Sequence, residues 1–167
     1  NEYSSVCHSG NHILDVIVDR YAAECALSDI EFCFDIKENN LRNLDYFDIV
    51  TVLNNLLDNA VEASKKASSR HVSIATSYRN NFSIIVITNS CAAPPEFSSS
   101  WELKTTKENS KLHGFGLKSV KNALKKYDGD ISLEYSQEKG EFIATVMLDS
   151  RIAPDSPSGS QPAPEKR

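Results

Sequence analysis

Apolar residues recur every three to four positions in three stretches of the chain, which predicts three amphipathic helices. The first helix follows Ser9 or Asn11, either of which can cap it. The second covers about 45–67, and the third follows Gly116 and ends at Gly129 as a left-handed cap. The middle helix shows the clearest apolar arc, formed by Ile49, Leu53, Leu56, Leu57 and Ala60.

Alternating apolar and polar residues predict five strands between and after these helices. The strands lie at about 30–36, 72–78, 82–88, 131–135 and 142–148. The third strand is apolar on both faces at 84–87, so we expect it to be central and covered on both sides or nearly so. The order of elements predicts a two-layer α/β sandwich, with a mixed, mostly antiparallel sheet and three helices on one face.

Three segments lack this periodicity. The interval from Cys91 to His113 is about twenty residues long, which favours a functional lid or a disordered loop. The Pro- and Ser-rich residues 150–167 are predicted to be a disordered tail, and polar residues 1–10 an N-terminal linker. These boundaries leave a single domain at 11–149.

Composition excludes several classes of protein. The chain has 167 residues, of which 40% are hydrophobic and 25% charged, as in ordinary globular domains. A net charge of −5 argues against a nucleic-acid binder. The four cysteines form no metal-binding pair, so we expect buried free thiols rather than a zinc site. No segment approaches the ~20 apolar residues of a membrane span, so no direct membrane contact is expected.

Polar side chains border the apolar arc of the middle helix. Asn55, Asn59 and Glu62 line up at i, i+4 and i+7. Asparagine is a poor helix former, so its recurrence favours a role as a ligand. Two carboxamides one turn apart offer neutral oxygens to a hard cation such as Mg²⁺. Taken alone, this spacing is better explained as a solvated stripe, and the glycines downstream favour a site.

Those glycines are Gly114 and Gly116. Glycines before a helix let the backbone approach a ligand, and the unpaired N–H groups of Leu117 and Lys118 then face an anion such as a phosphate. A plain turn explains G-x-G alone at least as well, and neither a Walker loop nor a Rossmann fingerprint fits. Asn89 ends the central strand, where it suits either the edge of a ring such as adenine or a turn.

Together these segments resemble the motifs of the GHKL superfamily, which includes gyrase, heat-shock chaperone, histidine kinase and MutL ATPases. The matching stretches are Asn55-Leu-Leu-Asp-Asn59-Ala (the N-box), Val86-Ile-Thr-Asn89-Ser-Cys (a degenerate G1 box), and Thr105-Thr106-Lys107 with His113-Gly-Phe-Gly116-Leu (the lid and G2 box). Within the superfamily the chain is most similar to sensor histidine kinases of the peptide-responsive, quorum-sensing (Agr-like) type.

The resemblance implies a Bergerat fold with a long ATP lid that binds ATP and Mg²⁺. Asn59 would ligate the metal with Asn55 beside it, both at the catalytic centre, and Asn89 would bond the adenine amine. The remaining nucleotide contacts would come from Glu62, Lys107, Gly114, Gly116, Leu117, Lys118 and, at the adenine, Thr145.

The resemblance also implies a protein histidine kinase, of which this chain is the cytosolic catalytic domain in a membrane-anchored homodimer. The γ-phosphoryl would pass to a histidine on a separate, upstream dimerisation domain and then to a response regulator. None of the four histidines here is followed by Asp or Glu, so we expect the phosphoacceptor upstream of Asn1.

Asn55 stands where hydrolytic members of the superfamily carry Glu. An amide cannot act as a general base, so phosphoryl transfer is favoured over hydrolysis. Two alternatives stay open. One is a non-catalytic ATP-binding interaction module, supported by Asn89 in place of the usual Asp and by His113 in place of the first lid glycine. The other is another GHKL protein, either an ATPase clamp or an anti-sigma-type serine kinase.

Overall fold

The computed structural model describes residues 7–37, 41, 43–94 and 110–152. Three helices and five strands form the described fold, with a short 3₁₀ turn, Lys125–Tyr127, after the last helix. In chain order the elements are α1 (His12–Leu27), β1 (Glu31–Asp35), α2 (Tyr46–Ser64), β2 (His71–Arg79), β3 (Phe82–Ser90), α3 (Ser110–Leu124), β4 (Asp130–Ser136) and β5 (Glu141–Asp149).

The five strands form one sheet in the order β1-β2-β3-β5-β4. β1 runs parallel to β2, and the other neighbouring pairs are antiparallel. Asn80 and Asn81 make the β2–β3 turn at φ 49° and 71°, a conformation that Asn tolerates well. The predicted mixed sandwich is therefore confirmed, whereas the core of the predicted lid, 95–109, lies outside the described residues.

The helices bury their apolar faces against one side of this sheet. Asn11 caps α1, since its Oδ1 accepts from the N–H groups of Ile13 and Leu14 at 3.1 and 3.2 Å. All five residues of the predicted arc on α2 are buried. β3 is the middle strand, but its two faces differ within the described residues: Ile85 and Ile87 are 1% exposed, while Ile84 and Val86 on the other face are half-buried.

Polar contacts fix α2 between its neighbours. Near its start, Asp48 is buried and accepts from Lys126 Nζ at 2.8 Å and from Tyr127 Oη at 2.7 Å. Burial raises the pKa of the Tyr127 hydroxyl, which therefore stays protonated and donates. Further along, the buried Tyr21 of α1 donates to Asp58 Oδ1 at 2.6 Å.

The third helix differs from the sequence expectation at both ends. It begins at Ser110, so Gly114 and Gly116 lie within it, and the N–H groups of Leu117 and Lys118 fall in the interior of an α-helix, where such groups bond to the preceding turn. At the other end the left-handed residue is Asp128, at φ 45°.

Gly129 is therefore not the left-handed residue, although its N–H donates to the carbonyl oxygen of Leu124 at 3.0 Å. It is also required for close packing. A Cβ there would lie 2.7 Å from the carbonyl oxygen of Met147 on β5, a separation that no side chain tolerates. In the part of the chain that the structure describes, no helix is long and apolar enough to cross a membrane.

Candidate functional site

An open pocket lies where the second half of α2 faces the ends of the central strands. Its floor comes from β3, β4 and β5, and α2 and α3 form its walls. It is a cleft partly open to solvent, with a volume of about 500 Å³. It is lined by Leu56, Asn59, Ala60, Ala63, Ile87, Asn89, Cys91, Leu117, Leu133, Phe142 and Ala144.

Asn89 is the most deeply placed polar side chain of this pocket. It is 2% exposed, and its Nδ2 donates to the carbonyl oxygen of Ser90 at 2.8 Å. This bond fixes the orientation of the carboxamide, and no hydrogen bond from the described part of the chain reaches Oδ1. The pocket therefore presents the Oδ1 acceptor of Asn89 among mainly apolar side chains.

A buried hydroxyl network holds the strand end that carries Asn89. Ser90 Oγ donates to Ser64 Oγ at 3.1 Å, and Ser64 Oγ lies 2.8 Å from the carbonyl oxygen of His71. His71 Nε2 lies 3.1 Å from Glu141 Oε1 across the sheet. These bonds join the end of α2 to β2, β3 and β5, and so they fix the spacing between the helix and the floor of the pocket.

The two asparagines of α2 lie on the side that faces α3. Asn59 lines the pocket directly. Asn55, one turn earlier, donates from Nδ2 to the carbonyl oxygen of Thr51 at 2.6 Å. A Cβ on Gly116 would lie 2.8 Å from Asn55 Oδ1, so the missing side chain of this glycine makes room for the carboxamide. The structure thus brings the glycine segment and the asparagine helix into contact.

Leu117 is the next member of the predicted set at the pocket; it is 5% exposed and forms part of the wall. Lys118 is exposed on α3. Glu62 forms an ion pair with Lys66 on the surface of α2, with 3.0 Å between Oε1 and Nζ.

Thr145 is not brought to the pocket. It follows Ala144, which lines the pocket, and successive residues of a strand point to opposite faces. Lys107 lies outside the described residues, and Gly114 is described only as a backbone position of α3.

Of the eleven lining residues, the predicted site included only Asn59, Asn89 and Leu117. The eight residues that sequence reasoning did not assign to the site are Leu56, Ala60, Ala63, Ile87, Cys91, Leu133, Phe142 and Ala144. Leu133 and Phe142 sit on the inward side of β4 and β5, and strand alternation places them there without indicating a pocket. Cys91 follows directly after Asn89 and Ser90, so the strand-end position that singled out Asn89 also indicates that Cys91 lies near the pocket. We expected buried thiols, but Cys33 is exposed and Cys91 is half-buried.

The GHKL domain family matches residues 44–149, which is more than half of the chain. The chain belongs to the GHKL family. The predicted superfamily is thereby confirmed, while the Agr-like subtype stays a prediction. The matched segment contains every residue that lines the pocket. A comparison with curated protein sequences gives no match.

Solved structures of histidine kinases share this fold. The catalytic domain of histidine kinase ThkA, in a nucleotide-free form, is 19% identical with a TM-score of 0.63, over 86% of this chain and 93% of that one. The mycobacterial sensor histidine kinase MprB is 19% identical with a TM-score of 0.58, over 84% and 95%. The histidine kinase domain of the blue-light-activated kinase EL346 from Erythrobacter litoralis is 10% identical with a TM-score of 0.60, over 90% and 66%. At these identities the similarity shows the fold alone.

Proposed function

We propose that this GHKL domain binds Mg²⁺ and ATP in the pocket and is the catalytic domain of a sensor histidine kinase. One observation carries the proposal. Asn59, Asn89 and Leu117 come from three separated segments, yet they line the same cleft, and Gly116 packs against Asn55 beside it. Chance alone is a poor explanation for residues of three family motifs lining one mainly apolar pocket together with a hydrogen-bond acceptor.

The base of the nucleotide belongs at the Asn89 end. Ligand pockets combine apolar walls with a few polar groups that fix orientation. Here the apolar floor includes Ile87, Leu133 and Ala144, and the polar group is Asn89 Oδ1. One N–H of Nδ2 is bonded to Ser90, whereas no hydrogen bond within the described residues reaches Oδ1, so this acceptor is open to a ligand. An acceptor suits the exocyclic amine of adenine, which is a donor.

Asn55 and Asn59 would hold the metal. The bond from Asn55 Nδ2 to Thr51 turns Oδ1 toward α3, and carboxamide oxygens are hard ligands of the kind Mg²⁺ accepts. The described residues contain no group of three His, Cys, Asp or Glu side chains that could hold a metal alone, so phosphate and water oxygens would complete the ligand set. When bound, the ion would neutralise phosphate charge during transfer.

The lining residues favour phosphoryl transfer over hydrolysis. None of the residues that line the described pocket is Asp or Glu, and an amide at position 55 cannot remove a proton from water. Glu62 is paired with Lys66, and Asp58 with Tyr21. We therefore propose that the γ-phosphoryl passes to a histidine on a separate dimerisation domain, and from there to a response regulator. The chain would be the cytosolic part of a membrane-anchored, homodimeric kinase of the Agr-like type.

Titration calorimetry with ATP tests the binding step. We expect binding that weakens when Mg²⁺ is omitted, and loss of the Mg²⁺ dependence in Asn59→Ala. Asn122→Ala, an exposed change on α3, is the matched control and should bind as the unchanged chain does. Equal, Mg²⁺-dependent affinity in Asn59→Ala would contradict the proposal.

Phosphotransfer is tested separately. This chain is incubated with radiolabelled Mg·ATP, alone and with a histidine-bearing dimerisation domain supplied in trans. We expect acid-labile label on the added domain and none on this chain. ATP binding without any transfer would favour the non-catalytic interaction module instead.

A further inference from the structure

The four cysteines of the chain lie in different surroundings. Cys7 and Cys25 are 2% and 0% exposed in the core. Burial raises the pKa of the Cys7 thiol to about 12 and that of Cys25 to about 11. Cys33 is exposed on the edge strand β1, and Cys91 is half-buried. Because thiol reactivity requires access and the thiolate form, only Cys33 and Cys91 are open to reagents in solution.

Cys91 is the cysteine that lines the nucleotide pocket. Its N–H donates to the carbonyl oxygen of Gly140 at 2.8 Å, which fixes it against the β4–β5 turn. Its Sγ donates to the carbonyl oxygen of Ala93 at 2.9 Å. Asn89, two residues earlier, is 2% exposed and lines the same cleft with its Oδ1 unbonded within the described residues. The thiol therefore stands nearer to solvent than the acceptor that would bind the base.

We propose that Cys91 is a modification site through which small-molecule disulfides block nucleotide binding. This inference rests on the proposed function of the pocket. In the step, Cys91 Sγ loses its proton and attacks one sulfur of the reagent, so that an S–S bond forms to Cys91 and the S–S bond of the reagent breaks. Cys91 is oxidised, the leaving sulfur is reduced, and the proton ends on the released thiol.

Modification of Cys91 would block nucleotide binding by filling the pocket, not by unfolding the protein. The pocket is a cleft of limited size, and a glutathione tripeptide attached to Cys91 would occupy the volume that the base and ribose need. Cys33 lies on β1, which contributes no lining residue. The same modification at Cys33 should therefore leave nucleotide binding unchanged, which gives the chain an internal control.

The test treats the protein with oxidised glutathione, with and without prior saturation by Mg·ATP. Peptide mapping by mass spectrometry then locates the adducts, and calorimetry measures ATP binding before and after treatment. We expect adducts on both Cys33 and Cys91, with ATP protecting only Cys91. We expect treatment to abolish ATP binding and dithiothreitol to restore it.

Variants separate the two sites, each compared with its own untreated sample. Cys33→Ser should remain sensitive to treatment, whereas Cys91→Ser and Cys91→Ala should become insensitive. If the unchanged protein binds ATP and continues to do so with a full adduct on Cys91, the inference about Cys91 fails while the proposed function stands. If the untreated chain and all variants fail to bind ATP, the proposed function fails and this inference falls with it.

Discussion

Gly116→Ala tests the contact between the glycine segment and the asparagine helix. Gly116 lies within α3, where replacing Gly by Ala favours the helix by about 1 kcal/mol. The new Cβ would lie 2.8 Å from Asn55 Oδ1, so the carboxamide must rotate. Rotation breaks the 2.6 Å bond from Asn55 Nδ2 to Thr51, which costs roughly 0.5–1.5 kcal/mol.

These two effects nearly cancel in the free energy of unfolding but not at the site. We expect the stability of Gly116→Ala, measured by urea denaturation, to change by less than about 1 kcal/mol. ATP affinity, measured by calorimetry, should fall by about tenfold or more, which corresponds to about 1.4 kcal/mol, because Asn55 Oδ1 leaves its position.

A double-mutant cycle with Asn55→Ala isolates the contact. With the carboxamide removed, Gly116→Ala should show the full stabilisation of a helical Gly→Ala change, so the two substitutions are coupled. Asn122→Ala on the exposed side of α3 reports helix propensity alone. Should Gly116→Ala be stabilised in full and bind ATP as tightly as the unchanged chain, Asn55 needs no fixed position and our reasoning about this contact is wrong.

Three further predictions follow from contacts around the pocket and the core. Asp48→Ala should lower the free energy of unfolding by about 2 kcal/mol, because Tyr127 Oη and Lys126 lose their shared acceptor. Urea denaturation measures this change. The exposed substitution Lys125→Met is the control, and its free energy of unfolding should stay within about 0.5 kcal/mol of the unchanged chain. Asn89→Asp should weaken ATP binding at neutral pH, although Asp is the usual residue in the family, because an oxygen would replace the Nδ2 that donates to Ser90; tighter binding would refute the fixed orientation of the carboxamide. Hydrogen bonds from Arg151 hold the pKa of Asp149 at about 2, below its usual 3.8. The stability that this pair contributes is therefore complete above pH 3.8 and is lost as the pH falls toward about 2. In Arg151→Gln, the midpoints of urea denaturation should depend less on pH between these two values.

Local pattern was enough to predict the architecture. The arc on α2 and the alternation in β2 to β5 each reflect a buried face, and burial is what periodicity records. The same reasoning overestimated the covering of β3. Four consecutive apolar residues, 84–87, fit a strand buried on both faces, but on the outer face Ile84 and Val86 are only half-buried. An apolar run in the sequence therefore does not show whether one face of the strand or both faces are buried.

The site was predicted less evenly, because its parts depend on tertiary contacts. Asn59 and Asn89 were identified from their positions on a helix edge and at a strand end, and both line the pocket. The roles of these residues with ATP and Mg²⁺ stay predictions. Thr145 was assigned by resemblance alone, and the register of β5 places it on the other face of the sheet. Gly129 looked like a cap because glycines often end helices, whereas its contact with Met147 joins segments that only the folded sheet brings together.

The bond between Tyr21 and Asp58 has a mechanical consequence. Tyr21 also lies within hydrogen-bond distance of the carbonyl oxygen of Asn54, at 3.3 Å, so a single ring on α1 touches the residues that immediately precede Asn55 and Asn59. α1 supplies none of the residues that line the pocket. A small shift or rotation of α1 would nevertheless move Asn54 and Asp58, and with them the neighbouring carboxamides of Asn55 and Asn59. The position of α1 is therefore coupled to the pocket, although α1 does not line it.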